Sequence, residues 1–295
     1  MNTAIGPVWG RDVPAEPGNI VQGIDHLIVM VRDLERSQRL WHALGFAPTP
    51  RGFHRSGGTA NHLVMLDRTY VELLGVVEPG SDSPYRRMAE ESPGLWGVAL
   101  RGSAAETFSF WRAHGLEPSA PASLARGIDI EGRHELARFE LTMLPRSTDL
   151  PFMLFCCEQL TPSFVWRRDL PPHPNGARAL REIFIVDERS AAAAQLARIT
   201  GHALPDEESD CAFELGECRV SFFSPATFTR RFGPDAAFRK GARPMLAGFA
   251  VLTSDVEAAR RFAHDAGWPV RPTHDGGFSA HIQDEGVLIE WAQAR

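Results

Sequence analysis

The sequence predicts an α+β fold made of four βαβββ modules joined as two pairs. Three observations carry this prediction. A weak internal repeat runs through the chain, a glycine closes the helical stretch of each copy, and alternating apolar strands follow each helix. A single module leaves one sheet face bare, so pairing buries or encloses the bare faces.

The first copy opens on an apolar strand over residues 23–31, passes Arg32-Asp33-Leu34 and ends its helix at Ala43-Leu44-Gly45-Phe46. The second has its strand at 95–100 and its helix end at His114-Gly115-Leu116. The third has its strand at 180–186, then an Ala-rich helix ending Thr200-Gly201-His202. The fourth has its strand at 246–252, then Ser254-Asp255-Val256, and ends at Ala266-Gly267-Trp268. It aligns with the first without a gap, Asp33 on Asp255 and Gly45 on Gly267. Asp33 and Asp255 are read as N-caps and the glycines as left-handed helix ends. Val256, Ala259, Phe262, Ala263 and Ala266 keep helical spacing.

Strand and hairpin signals follow each helix, at 61–66 and 69–76, 138–144 and 152–157, 211–215 and 219–223, and 278–282 and 287–291. Residues 48–58 and 115–136 read as loops. The matched first-strand positions are His26, Trp96, Glu182 and Gly248. The expected organisation is an N-terminal extension (1–20), a first pair (21–160), a Pro-rich connector (161–177) and a second pair (178–295).

Composition excludes several classes. With 43% hydrophobic and 23% charged residues, the chain is neither collagen-like nor disordered. No apolar run approaches the ~20 residues of a membrane helix. Residues 1–20 lack the apolar core of a secretory signal. A net charge of −6 without a basic run disfavours nucleic acid. Cys156, Cys157, Cys211 and Cys218 show no zinc spacing and read as reduced thiols, so a cytoplasmic location is expected. No dinucleotide fingerprint, P-loop or nucleophile elbow occurs.

Two polar residues sit inside apolar strands: His26 in residues 24–31, and Glu72 in Thr-Tyr-Val-Glu-Leu-Leu. Both are costly to bury unpaired, and a divalent metal would account for both. Imidazole with carboxylate suits Mn, Fe, Co, Ni or Zn. A two-residue turn at Asp67-Arg68 puts Leu63 opposite Glu72 and Asn61 on the Glu72 face, with His62 turned away; a three-residue turn reverses this. Glu158 is the carboxylate the second module offers as ligand or base. Trp96 is a stacking candidate. The connector residues Arg167, Arg168, His173 and Asn175 are candidates to contact an anionic substrate or to reach the metal, against plain surface solvation. Glu182, His281 and Glu290 are either a second metal site or a salt-bridged structural remnant, with His281 placed opposite Glu290; the remnant is preferred.

Gly23-Ile-Asp-His26-Leu-Ile-Val-Met-Val-Arg-Asp-Leu34, the Leu44-Gly-Phe46 helix end, Gly58-Thr-Ala-Asn61 and Thr69-Tyr-Val-Glu-Leu-Leu74 resemble the vicinal oxygen chelate superfamily, and within it the glyoxalase-like-domain group. Thr161-Pro, Val165-Trp-Arg167 and His173-Pro-Asn-Gly-Ala177 add to the likeness. The resemblance implies paired glyoxalase-like domains with a metal at the ends of the modules, His26 and Glu72 falling on ligand positions. Trp96 stands where glyoxalase I has a further ligand, and Glu182 and Gly248 stand where extradiol dioxygenases carry histidines. The implied activity is isomerase, lyase or related chemistry on a small oxygenated metabolite. The alternatives are non-catalytic sequestration of the bleomycin-resistance type, or a scaffold acting through oligomerisation. The implied partner is a small-molecule substrate, with a homodimer left open.

Overall fold

The computed structural model describes residues 20–54, 58–78, 80, 83–130, 132–167, 169–188, 191–202, 211–236 and 244–294. Nearly all of the expected N-terminal extension, and Arg168, lie outside them. The first module comprises β1 (Gly23–Met30), α1 (Leu34–Ala43), β2 (Gly52–His54), β3 (Thr59–Met65) and β4 (Tyr70–Val76). After α2 (Pro84–Glu91) the second repeats the pattern with β5 (Gly94–Arg101), α3 (Ala104–Ala113), β6 (Ala122–Ile130), β7 (Arg133–Met143) and β8 (Met153–Gln159).

These strands close into a barrel of order β1-β4-β3-β2-β6-β7-β8-β5. Two seams join the modules. β1 runs antiparallel to β5, and the short β2 pairs with β6 through Phe53–Gly127 and His54–Arg126. Closure leaves no open strand edge and encloses the inward residues of both modules.

The third module has β9 (Ala177–Val186), α4 (Ala191–Thr200), β10 (Ala212–Leu215) and β11 (Cys218–Phe223). α5 (Pro225–Phe232) precedes the fourth: β12 (Met245–Thr253), α6 (Val256–Asp265), β13 (Val270–Pro272), β14 (Phe278–Ile282) and β15 (Val287–Gln293). Among the described residues these strands form an open seven-stranded sheet, β10-β11-β9-β12-β15-β14-β13. α5 fills its concave side with Phe228 and Phe232, which pack on Phe184 and Phe223.

The local signals behave as their chemistry dictates. Asp33 and Asp255 accept hydrogen bonds from the N–H groups of Arg36 and Ala258, capping α1 and α6. Gly45 (φ 78°) and Gly267 (φ 81°) take the left-handed conformation just past those helices.

The structure departs from the sequence expectation in several elements. Residues 115–136 contain β6 and the start of β7 rather than a loop, because that hairpin supplies the closing wall. The helices α2 and α5 were not foreseen; each is one short segment capped by serine with proline at its start. In the β14–β15 hairpin Ser279, not His281, faces Glu290, because residues 283–285 form a 3-10 turn that shifts the register.

The two sheets share one core. Trp41 of α1 is fully buried, 5.2 Å from Phe46 and 6.4 Å from Phe249 of β12 between ring centroids. The Trp111 indole N–H of α3 donates to the Ile199 carbonyl of α4 at 2.9 Å. Asn175 donates to the Leu44 carbonyl, and its own carbonyl accepts from Thr253 Oγ1.

His173, read above as a substrate contact, is instead a structural clamp. Its Nδ1 accepts the Ala47 N–H at 2.9 Å, and its Nε2 donates to the Met65 carbonyl at 2.6 Å. Both nitrogens are committed to backbone groups. Burial pushes its pKa down from 6.5 to about 4. The unfolded chain therefore binds the extra proton between those values, and stability falls as pH drops from 6.5 toward 4. The expected loss is about 3 kcal/mol. Urea unfolding at pH 7.5 and 4.5 checks this: His173→Ala starts less stable at pH 7.5 and loses less than wild type on acidification.

Candidate active site in the first barrel

His26 and Glu72 meet inside the barrel. β1 and β4 run parallel with His26 beside Tyr70 and Ile28 beside Glu72. β3 presents Leu63 opposite Glu72, which puts Asn61 on the same inward face. His26 Nε2 lies 3.8 Å from Glu72 Oε2. Asn61 Nδ2 donates to Glu72 Oε1 at 2.5 Å, and His54 Nε2 lies 3.5 Å from that oxygen. All four side chains line a cavity of about 380 Å³.

The His26 ring is held from behind. A register shift between Ile24 and His26 leaves Asp25 without a cross-strand partner, and its fully buried carboxylate reaches His26 Nδ1 at 2.5 Å. Gln159 Nε2 donates to both Asp25 oxygens, at 2.9 and 3.1 Å. Tyr70 stacks on the imidazole at 4.5 Å, and Phe155 meets it edge-on at 5.5 Å. Asp25 thus commits Nδ1 as donor and leaves Nε2 facing the cavity and Glu72, the arrangement by which a carboxylate orients a metal-binding histidine.

The remaining lining is largely apolar. Leu124 comes from β6, Phe139, Leu141 and Met143 alternate along β7, and Met153, Phe155 and Cys157 alternate along β8. Burial pushes the Tyr70 phenol and the Cys157 thiol well up, so both are neutral at pH 7. Burial also lowers the His54 pKa, against the pull of Glu72.

The donor set fits a divalent cation. Two ligands on one ion at bond lengths near 2.1 Å stand about 3–4 Å apart, and the His26–Glu72 spacing of 3.8 Å lies in that range. Asp25, His26 and Cys157 also gather within 4.8 Å of one another. On that side, however, His26 Nδ1 is already bonded to Asp25, so the cavity side is the better metal position.

The glyoxalase-like domain family matches residues 24–200, more than half of the chain. This chain belongs to the glyoxalase-like domain family. With it comes membership of the vicinal oxygen chelate superfamily. No curated protein sequence matches the chain. Among solved structures, a hypothetical protein from Staphylococcus aureus superposes with a TM-score of 0.62 at 12% identity, covering 92% of this chain and 99% of its own. A mutant 4-hydroxymandelate synthase from Streptomyces coelicolor gives 0.60 at 12% identity, covering 92% of each chain. A fusion of a xylose isomerase-like TIM barrel with 4-hydroxyphenylpyruvate dioxygenase gives 0.60 at 16% identity, over 96% of this chain and 52% of that one. At these identities the likeness is one of fold.

In this glyoxalase-like chain three sequence-selected residues lie elsewhere. Glu158, expected as base or ligand, faces outward on β8, and its Oε2 accepts the Ala104 N–H at the start of α3. Strand parity explains this. Cys157 and Gln159 point inward, whereas Cys156 and Glu158 point to the helix side, where Thr107 donates to Cys156 Sγ. Trp96 packs beside the inner cluster with its indole N–H on the Ser92 carbonyl and does not line the cavity. His173 is the clamp described above. Asp25, His54 and Arg126 escaped sequence reasoning. Asp25 depends on an irregularity in β1, and the other two lie in segments read as loops.

In the second half Glu182 and Glu290 converge as their matched positions imply, but on a guanidinium. Arg231 Nη2 of α5 donates to Glu182 Oε2 and Glu290 Oε2, both at 3.1 Å. Its charge also sits over the rings of Phe184, Phe223 and Phe232. A protein cation takes the place between the two carboxylates, which is the salt-bridged arrangement.

Proposed function

We propose that the chain is a metal-dependent enzyme that binds a small oxygenated metabolite in the first barrel and chelates its neighbouring oxygens. The observation that carries this reading is the His26–Glu72 pair facing the cavity, with His26 fixed by Asp25. The superfamily includes metalloenzymes such as dioxygenases, which supports an enzyme; isomerase or lyase chemistry belongs to this proposal.

His26 and Glu72 would hold the ion, which would supply Lewis-acid stabilisation of a developing oxyanion. The chain's own residues do the rest. Asn61 fixes one Glu72 oxygen and so aims the other toward His26. Asp25 and Tyr70 hold the imidazole plane. The apolar walls from β7 and β8 exclude water around the bound molecule. His54, with Nδ1 against Thr59 Oγ1 and Nε2 toward Glu72, is placed to take or return a proton, the role the sequence assigned to Glu158.

Calorimetric titration of metal-stripped protein with Mn, Fe(II), Co, Ni and Zn tests the reading. It predicts one site per chain for at least one of these metals. Absence of binding to all five contradicts it and leaves non-catalytic sequestration in the same cavity.

A further inference from the structure

Arg126 is a buried cation that the metal reading does not use. It projects from β6 into the barrel cavity and is only 6% exposed. Its side chain makes one hydrogen bond to a described residue, from Nη1 to Asn61 Oδ1 at 3.1 Å, and its Nε is buried without a partner. A guanidinium carries five donors in a planar fork, and burying it with most of them unmatched is costly. Gly52 of β2 makes room for it: a Cβ there would stand 2.9 Å from Arg126 Cδ and 2.6 Å from Asn61 Oδ1.

We infer that Arg126 is the anion-binding residue of this cavity, and that the ligand it selects is a small apolar or aromatic monocarboxylate. A carboxylate is the group that matches a guanidinium fork with two parallel hydrogen bonds. Glu72 lies close by, joined to Arg126 through Asn61, and its carboxylate repels added negative charge, which disfavours a phosphate dianion more than a monocarboxylate. Leu124, Phe139, Leu141, Met153 and Phe155 surround the rest of the space with hydrocarbon. At about 30 Å³ per water-sized group, roughly a dozen non-hydrogen atoms fit. This inference rests on the first barrel being the substrate site, and it does not require a metal.

The test is calorimetric binding of phenylacetate and 3-phenylpropanoate, each beside its neutral amide, to wild type stripped of metal with chelator. The acids are expected to bind at least about tenfold more tightly than their amides. Arg126→Met removes that preference, and Arg126→Lys keeps part of it. Equal affinity for acid and amide, or no binding of either, overturns the inference without any variant, so misfolding of Arg126→Met leaves the decision intact. Tighter binding of phenyl phosphate than of phenylacetate overturns the monocarboxylate assignment. Because the acids are titrated into metal-stripped protein, loss of metal binding and loss of acid recognition are read separately.

Discussion

Replacing His26 with Ala, or Glu72 with Gln, is expected to abolish metal binding and to lower turnover by about a thousandfold or more while the barrel stays folded. Each residue contributes one donor to a pair inside a cavity of about 380 Å³. Loss of one donor leaves too few protein ligands to hold an ion against water. Stability is not expected to collapse, because the residue that remains keeps a buried hydrogen bond, His26 to Asp25 or residue 72 to Asn61. Asp25→Asn is the graded companion. It keeps the shape behind the ring but weakens the hold on Nδ1, and the expected loss of metal affinity is about 10- to 100-fold. Metal content by plasma mass spectrometry and far-ultraviolet circular dichroism separate these outcomes from unfolding. Unchanged metal content in both His26→Ala and Glu72→Gln would remove the site from the first barrel.

Trp41→Ala is expected to be the most destabilising single change outside the cavity, at about 3–5 kcal/mol. Trp41 is completely buried and touches Phe46 of its own module and Phe249 of the fourth. The cavity it leaves lies between the two sheets, where Trp291 and Phe278 also stack at 4.8 Å. Because that core is shared, the variant is expected to lower one cooperative thermal transition for the whole chain. Calorimetry checks it. Two transitions, with only one shifted, would show that the halves unfold independently.

Much of the fold was legible because its signals are local. The Asp33 and Asp255 caps, the closing glycines and the apolar first strands each depend on a few adjacent residues. Strand parity was enough to place Asn61 beside Glu72, since the turn at Asp67-Arg68 set Leu63 opposite Glu72. What escaped depends on long-range closure. β6 has no clean alternation, and its existence is fixed by pairing with β7 and with the three-residue β2. Arg126 and His54 face each other across that seam, so neither was visible as a site residue. The chemistry of Glu158 suggests a ligand or base, but the parity of Cys156 and Cys157 on the same strand points to Gln159 as the inward neighbour. His173 sits in a Pro-rich connector and looked solvated, yet it bonds backbone groups from two earlier segments of the chain.

The proposed metal position lies between His26 Nε2 and the Glu72 carboxylate. Anomalous X-ray scattering at the absorption edge of the metal, on crystals of the loaded protein, tests it most directly. One strong peak per chain is expected in the first barrel, within bonding distance of both residues. A peak on the Asp25–Cys157 side of His26, a peak between Glu182 and Glu290, or no peak at all would contradict it.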